Sequence, residues 1–146
     1  MDLGHFSSLM RRYNEADIPV YSELILALPG ETYDSFSKGI DTLLNCGQHT
    51  AIGIYPCELL PNSQLGSREF REKHQIETVD AVFSQYHVEP GAEAIPEVSK
   101  IIVSTSSMNR DDWKRSFLFS VTVQALHNLA LTRGIAIWFR YEKNIS

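Results

Sequence analysis

Few side chains in this sequence have the types and spacing of a reactive centre. Cys46, His49 and Cys57 come nearest to a metal-ligand set, but their spacing matches no common zinc template. Two reduced thiols in a cytoplasmic protein are the simpler interpretation. The turn Leu28–Thr32 has one glycine and no lysine, so it is not a phosphate-binding loop. We therefore predict no metal site and no catalytic residue on this chain.

Three ionisable residues nevertheless lie in positions where their environment matters. Glu23 interrupts an apolar run, so its carboxylate must be paired, hydrogen-bonded or directed into a polar cavity, and both a structural role and a site-lining role stay open. Glu31 stands at a helix start, where the helix dipole and the turn's N–H groups favour a carboxylate in a structural role. His127 lies in a strongly apolar segment and is interpreted as a core or interface histidine rather than a base.

Composition limits the partners. The chain has 146 residues, enough for one domain with a core, and 18 acidic against 13 basic residues give a net charge of −5. No basic block is present, which argues against nucleic acid. No apolar run approaches the ~20 residues that a membrane span requires. We expect a soluble cytoplasmic protein.

The elements that must position these residues centre on a β-α-β pattern over 21–61. Residues 20–28 read as a parallel strand buried on both faces, and a Pro-Gly turn then leads into a helix capped by Thr32 over 33–46. Gly47 ends that helix, and residues 50–55 form the next strand. A helix between two strands predicts that they are parallel neighbours joined by a right-handed crossover.

The flanking segments carry weaker signals. Apolar residues at helical spacing predict a helix over 3–15, and residues 67–74 read as a short surface helix. Residues 75–85 form a strand or an arm, 85–96 a loop, and 100–105 a third strand. The pattern is one α/β domain, with a core over 1–66 and a carboxy-terminal extension over 67–146.

The longest predicted helix begins after its N-cap Asn109 and runs to about Arg133, with Gly134 as the residue that ends it. It is apolar almost all round, which predicts burial on several sides. A chain of this length has few elements to cover such a helix, so a partner is expected there. Residues 135–141 read as the start of another strand or helix.

Two motifs carry a resemblance to a known family. ELILALPGET over 23–32, followed after a helix by IGIYPCELLPNSQL over 52–65, resembles the later half of the barrel in radical S-adenosylmethionine (SAM) enzymes, most closely the subgroup that also binds cobalamin. KIIVSTSSMNRDDW over 100–113 resembles the segment that follows this barrel. The resemblance implies a partial (β/α) TIM-type barrel, of which this chain supplies the fifth and sixth strands.

The resemblance also implies a site. In that family these two strands line the cleft that holds the adenosyl group of SAM. The matching positions in this sequence are Glu23, Leu26, Ala27, Leu28, Ile54, Tyr55 and Pro56. Ala27 stands where the family usually has glycine. The complete family enzyme carries SAM and a [4Fe–4S] cluster, with cobalamin in the subgroup.

The family's three-cysteine cluster motif, C-x-x-x-C-x-x-C, does not occur in this sequence. Because a [4Fe–4S] cluster needs converging thiolates, we expect the isolated chain to be a fragment that is inactive alone and binds no cofactor. The alternative is a non-catalytic degenerate barrel that serves as a binding or assembly module. The expected partner is either a second copy, through the 109–133 helix, or the amino-terminal half of the barrel.

Overall fold

A computed structural model describes residues 2–82 and 98–143 of the chain; the predicted loop over 85–96 lies outside the described residues. The fold is mixed α/β, with few strands in small sheets. In chain order the elements are α1 (Leu3–Glu15), β1 (Tyr21–Leu26), α2 (Tyr33–Asn45), β2 (Ala51–Pro56), α3 (Arg68–Lys73), β3 (Glu77–Val82), β4 (Val98–Ser104), α4 (Arg110–Val123), a π-helical turn (Gln124–Asn128) and α5 (Arg133–Lys143).

The predicted β-α-β arrangement, with two parallel neighbouring strands, is confirmed. β1 and β2 are parallel neighbours, with Tyr21 opposite Ala51 and Leu26 opposite Pro56, and α2 connects them. Thr32 caps α2 in a capping box with Ser35, and Gly47 follows the helix at φ 95°, where glycine is favoured. The local sequence therefore fixes where this helix begins and ends.

The core lies between this parallel pair and α2. Leu26, Ile40 and Ile52 are fully buried there, together with Phe36 and Ile102. The prediction that β1 is covered on both faces is wrong. Burial alternates along the strand, and Tyr21, Glu23 and Ile25 are exposed.

The second sheet is antiparallel. β3 pairs with β4, so the predicted third strand exists but does not extend the parallel sheet. It is joined to the chain that follows β2, because the Ile102 N–H donates to the Cys57 carbonyl at 2.9 Å and the Leu59 N–H donates to the Lys100 carbonyl at 2.7 Å. β4 therefore holds the loop after β2 in place.

The single long helix predicted over 110–133 is also wrong. Regular α-helix ends at Val123, the next turn is π-helical to Asn128, and Ala130 adopts φ 58° before α5 begins at Arg133. Gly134 lies in the first turn of α5 instead of ending a helix. The helical backbone is therefore interrupted over residues 129–132, and two side chains of the preceding π turn bond to β2, as described below.

The fully buried residues of α4 are small and polar: Ser116 and Ser120. Small residues let the helix approach the rest of the domain closely. Trp113, Phe119 and Val123 pack against the core, whereas Leu118 and Val121 are 67% and 46% exposed, so the helix is not buried on several sides as predicted. Within residues 2–82 and 98–143, no helix combines the length and apolarity needed to cross a bilayer.

Candidate functional site

The carboxyl ends of β1 and β2 lie side by side, and a tight turn leaves β1 there. Ala27 begins the turn with φ 73°, a conformation that costs an L-residue about 1–2 kcal/mol. The Glu31 carboxylate bends back and accepts the Ala27 N–H at Oε2, at 3.1 Å. The Glu31 N–H in turn donates to the Leu28 carbonyl at 3.0 Å. Glu31 therefore closes the turn, the structural role that its position suggested.

Burial also changes the chemistry of this turn. It raises the pKa of the Glu31 carboxyl, against the smaller lowering effect of the bond from Ala27. The Cys57 thiol follows β2 and is buried; burial first, and the charge of Glu31 second, raise its pKa. A thiol of this kind is a poor nucleophile and a poor metal ligand at neutral pH.

The turn is tied to the loop that follows β4. The Gly30 N–H donates to Ser107 Oγ at 3.0 Å, and Ser107 Oγ lies 3.2 Å from Thr105 Oγ1. Met108 is fully buried beside this loop. The two motifs LPGET and STSSM, which lie far apart in the sequence, therefore form one structure at the carboxyl ends of the strands.

The predicted site residues divide between the two faces of the sheet. The register pairs Glu23 with Gly53 and Ile25 with Tyr55 on the exposed face. Leu26 and Ile54 are buried on the opposite face, against α2, and Ala27 is fully buried in the turn. Of the seven predicted residues, therefore, only Glu23, Leu28 and Tyr55 present exposed side chains. Leu26, Ala27 and Ile54 can meet a ligand only through their main chain.

Gly53 shapes the exposed face. A Cβ at this position would lie 3.0 Å from Cε2 and 3.1 Å from the hydroxyl of Tyr55. The phenol ring of Tyr55 therefore lies back over the bare main chain of Gly53, beside Glu23. The result is an aromatic surface with a carboxylate at its margin, on the side of the sheet away from α2.

The side chains on the outer edge of β2 are not evident from the sequence. Asn128 Oδ1 accepts the Ile52 N–H at 3.0 Å, and Asn128 Nδ2 donates to the Ile52 carbonyl at 2.9 Å. Gln124 Oε1 accepts the Ile54 N–H at 3.2 Å, and Arg133 donates to the Thr50 carbonyl at 3.1 Å. These three side chains bond to alternate residues, as a neighbouring strand would. In the sequence, only the hydrogen-bonding capacity of their amide and guanidinium groups could have indicated that these side chains cover a strand edge.

No group of three or more metal-ligating side chains occurs within the described ranges. The only two cysteines of the sequence also lie at opposite ends of the sheet, since α2 returns the chain from the end of β1 to the start of β2. Cys46 follows α2 and Cys57 follows β2, with about 20 Å of strand between these ends. The residues of this chain do not fit an iron–sulfur cluster.

Two known proteins are similar to almost the whole of this chain. The chain is 38% identical over 144 residues to the cobalamin-dependent radical SAM methyltransferase TokK of Streptomyces tokunonensis, a match that covers 98% of the chain. It is 35% identical over 144 residues to the 2-(S-pantetheinyl)-carbapenam-3-carboxylate methyltransferase of Streptantibioticus cattleyicolor. The chain is homologous to cobalamin-dependent radical SAM methyltransferases. This homology confirms the resemblance drawn from the two motifs. No family model matches the chain.

The homologous region is a limited part of the relatives. The chain spans about a fifth, 21%, of the length of each curated methyltransferase that it matches. The match runs through both the parallel crossover and the segment that contains β4 and α4. The two halves of the chain are therefore related to the same proteins, over one continuous stretch.

Proposed function

We propose that this chain forms the adenosyl-facing wall of a cobalamin-dependent radical SAM-type enzyme, as the carboxy-terminal part of a partial (β/α) barrel. β1 and β2 take the places of the fifth and sixth barrel strands. The observation that carries the proposal is the parallel β1–α2–β2 crossover, whose carboxyl ends bear the LPGET turn and Tyr55. Ligands of parallel α/β sheets bind at this end of the strands.

In the proposed site the chain binds and orients but does not react. The ring of Tyr55 over Gly53 offers a flat apolar surface, and Glu23 offers a hydrogen-bond acceptor beside it. In the complete enzyme, bound SAM would supply radical chemistry, and Glu23 and Tyr55 of this chain would help to hold its adenosyl group. The cluster required for that chemistry has no ligands here, so the isolated chain is inactive.

The test uses a chimera in which this chain replaces the matching segment of the Streptomyces tokunonensis methyltransferase. We expect Glu23→Ala and Tyr55→Leu to weaken SAM binding by roughly tenfold each, or about 1.4 kcal/mol. Ser22→Ala is the matched control, because Ser22 adjoins Glu23 but lies on the opposite face of β1. Equal affinities for the Glu23 and Ser22 variants would show that the exposed face is not the ligand face.

A second candidate function is a non-catalytic, self-associating module. Its support is the exposed apolar side of the carboxy-terminal helices, where Leu118 and Val121 lie on α4 and Trp138 on α5 is 50% exposed. A face of this kind favours association with another copy. Under this hypothesis light scattering gives a dimer, and Val121→Lys weakens it by at least about tenfold.

Val98→Lys is the control for that experiment. Val98 is 56% exposed and lies on β4, away from the helix surface. A monomer at micromolar concentration, or equal weakening by the two lysines, would contradict self-association through α4.

A further inference from the structure

The outer edge of β2 is closed by a clasp, which we define as the side chains of Gln124, Asn128 and Arg133. Of the four hydrogen bonds that the clasp makes to the main chain of residues 50–54, three come from the π turn and one from α5. They cover the outward amides of Ile52 and Ile54, while the opposite edge of the strand is paired with β1. Solvent access to these two amides therefore reports whether the clasp is closed.

His127 belongs to the same π turn and is the direct neighbour of Asn128. Its Nε2 atom is shielded from solvent, and no residue of 2–82 or 98–143 gives it a hydrogen-bond partner. Protonation would place a second N–H donor and a positive charge on this ring. A buried charge without a partner is far less favourable than a buried neutral group. The closed clasp therefore favours the neutral form of His127.

The charged and titratable groups that face His127 strengthen this preference. Burial first, and then the charges of Arg133 and His49, lower the pKa of the His127 imidazole. Arg133 belongs to α5, and His49 precedes β2, where its ring lies edge-on to that of Tyr141 with centroids 6.2 Å apart. From β2 and α4, the other elements that pack against the π turn, no described residue adds a charge that shifts this pKa. Both charged neighbours are cationic, so neither compensates a proton on His127.

The segment that carries the clasp can leave β2 without disrupting the core. Among the described residues, no side chain beyond Val123 belongs to the buried core cluster. Leu129 and Leu131, which connect the π turn to α5, are 70% and 65% exposed, and Ala130 between them has φ 58°. Segments with so few buried apolar contacts open at a free-energy cost well below that of global unfolding.

We propose that the clasp is a pH-sensitive conformational switch, in which protonation of His127 releases the π turn and α5 from the edge of β2. The protonated ring reaches solvent only if the π turn moves away, and that movement breaks the bonds to residues 50–54 together. The proton is taken from solvent, so the open form carries one more proton than the closed form. The switch acts at the outer edge of β2 and does not depend on the proposed SAM site.

Amide hydrogen exchange, followed by NMR on the full chain, tests the switch. Protection factors are compared, because they correct for the pH dependence of intrinsic exchange. Below about pH 6.5, one extra proton in the open form shifts the opening equilibrium by up to about tenfold per pH unit. We expect the protection factors of Ile52 and Ile54 to fall by about tenfold between about pH 7 and about pH 5. Protection factors that stay constant over this range would overturn the proposal.

Low concentrations of urea distinguish opening of the clasp from global unfolding. The Cys57 amide donates to the Leu26 carbonyl within the sheet, so its exchange requires a larger opening. A local opening exposes little surface and depends weakly on urea, whereas global unfolding exposes much surface and depends strongly on it. We expect urea to accelerate exchange at Cys57 and to leave exchange at Ile52 nearly unchanged. Equal urea dependence of the two amides would overturn the proposal, because the clasp would then have no opening of its own.

Two histidine variants assign the effect to one ring. His127→Gln removes the titration and keeps a polar side chain, so the protection of Ile52 should no longer depend on pH. His5→Gln is the matched control, because His5 is exposed on α1 and its replacement should leave the pH dependence of the parent unchanged. Retained pH dependence in His127→Gln, or its loss in His5→Gln, would overturn the proposal.

NMR titration of the histidine rings in the parent chain adds a test that requires no variant. In the folded chain the His127 ring should titrate below the ordinary pKa of histidine, about 6.5. A folded-state pKa at or above that value would overturn the proposal, because protonation would then not favour the open form.

Discussion

Asn128 is the residue whose replacement tests the closed edge of β2 most sharply. Its side chain satisfies both main-chain groups of Ile52, a residue with no solvent exposure. Asn128→Ala removes both bonds. Each bond contributes about 0.5–1.5 kcal/mol where water can replace it, and an unsatisfied buried group costs about 1–3 kcal/mol. Because the contacts are partly buried, we expect a loss of about 2–4 kcal/mol in the free energy of unfolding.

Urea denaturation followed by circular dichroism measures this loss. Gln124→Ala is the matched control in the same π turn, because Gln124 makes one bond, to the Ile54 N–H at 3.2 Å. It should cost about 1 kcal/mol. Asn128→Asp keeps an acceptor for the Ile52 N–H but places a second oxygen against the Ile52 carbonyl, so it should cost about as much as alanine. An Asn128→Ala variant within about 0.5 kcal/mol of the parent would refute the role assigned to this edge.

Three further predictions concern the turn and the π segment. Glu31→Ala should cost about 1–3 kcal/mol because it leaves the Ala27 N–H without its acceptor; Glu31→Gln keeps an acceptor and should be nearly neutral in urea denaturation, and equal losses would refute the contact. Ala27→Gly removes the strain of the positive φ, about 1–2 kcal/mol. It also loses a buried methyl group, about 0.8 kcal/mol, and increases the conformational entropy of the unfolded chain. Because these effects oppose each other, the free energy of unfolding should stay nearly unchanged. Ala130 is exposed and also has a positive φ, so Ala130→Gly should stabilise the protein by about 0.5–1 kcal/mol. A melting temperature that is lower for Ala130→Gly than for Ala27→Gly would contradict this pair of expectations. Burial first, and then the charges of Arg133 and His49, lower the pKa of His127. As the pH falls below about 6.5 the unfolded chain therefore takes up this proton before the folded chain does, and the free energy of unfolding decreases. His127→Gln should reduce this dependence of the melting temperature on pH, and an unchanged dependence would contradict the role of His127.

The sequence predicted the parts of the fold that local chemistry controls. Thr32 and Gly47 bound α2 through capping and a positive φ, and both assignments are confirmed by the structure. The parallel pairing of β1 and β2 follows from the length of the connection, since a helix between strands leaves little choice. These features depend on residues that are near one another in the chain.

The sequence could not predict features that depend on distant contacts. In the π turn that follows Val123, the amides of Gln124 and Asn128 bond to β2, about 70 residues away, and helical periodicity carries no record of that contact. The same limit applies to the site. Residue types placed Glu23 and Tyr55 together with Leu26 and Ile54, and only the register shows that the two pairs lie on opposite faces.

We propose that this chain supplies one wall of a SAM site that other polypeptide completes. Calorimetric titration of the isolated chain with SAM tests this proposal most directly. We expect no saturable binding up to about millimolar SAM, because half of a site makes only a small part of the contacts of the whole site. Saturable binding of the isolated chain in the micromolar range would contradict the proposal.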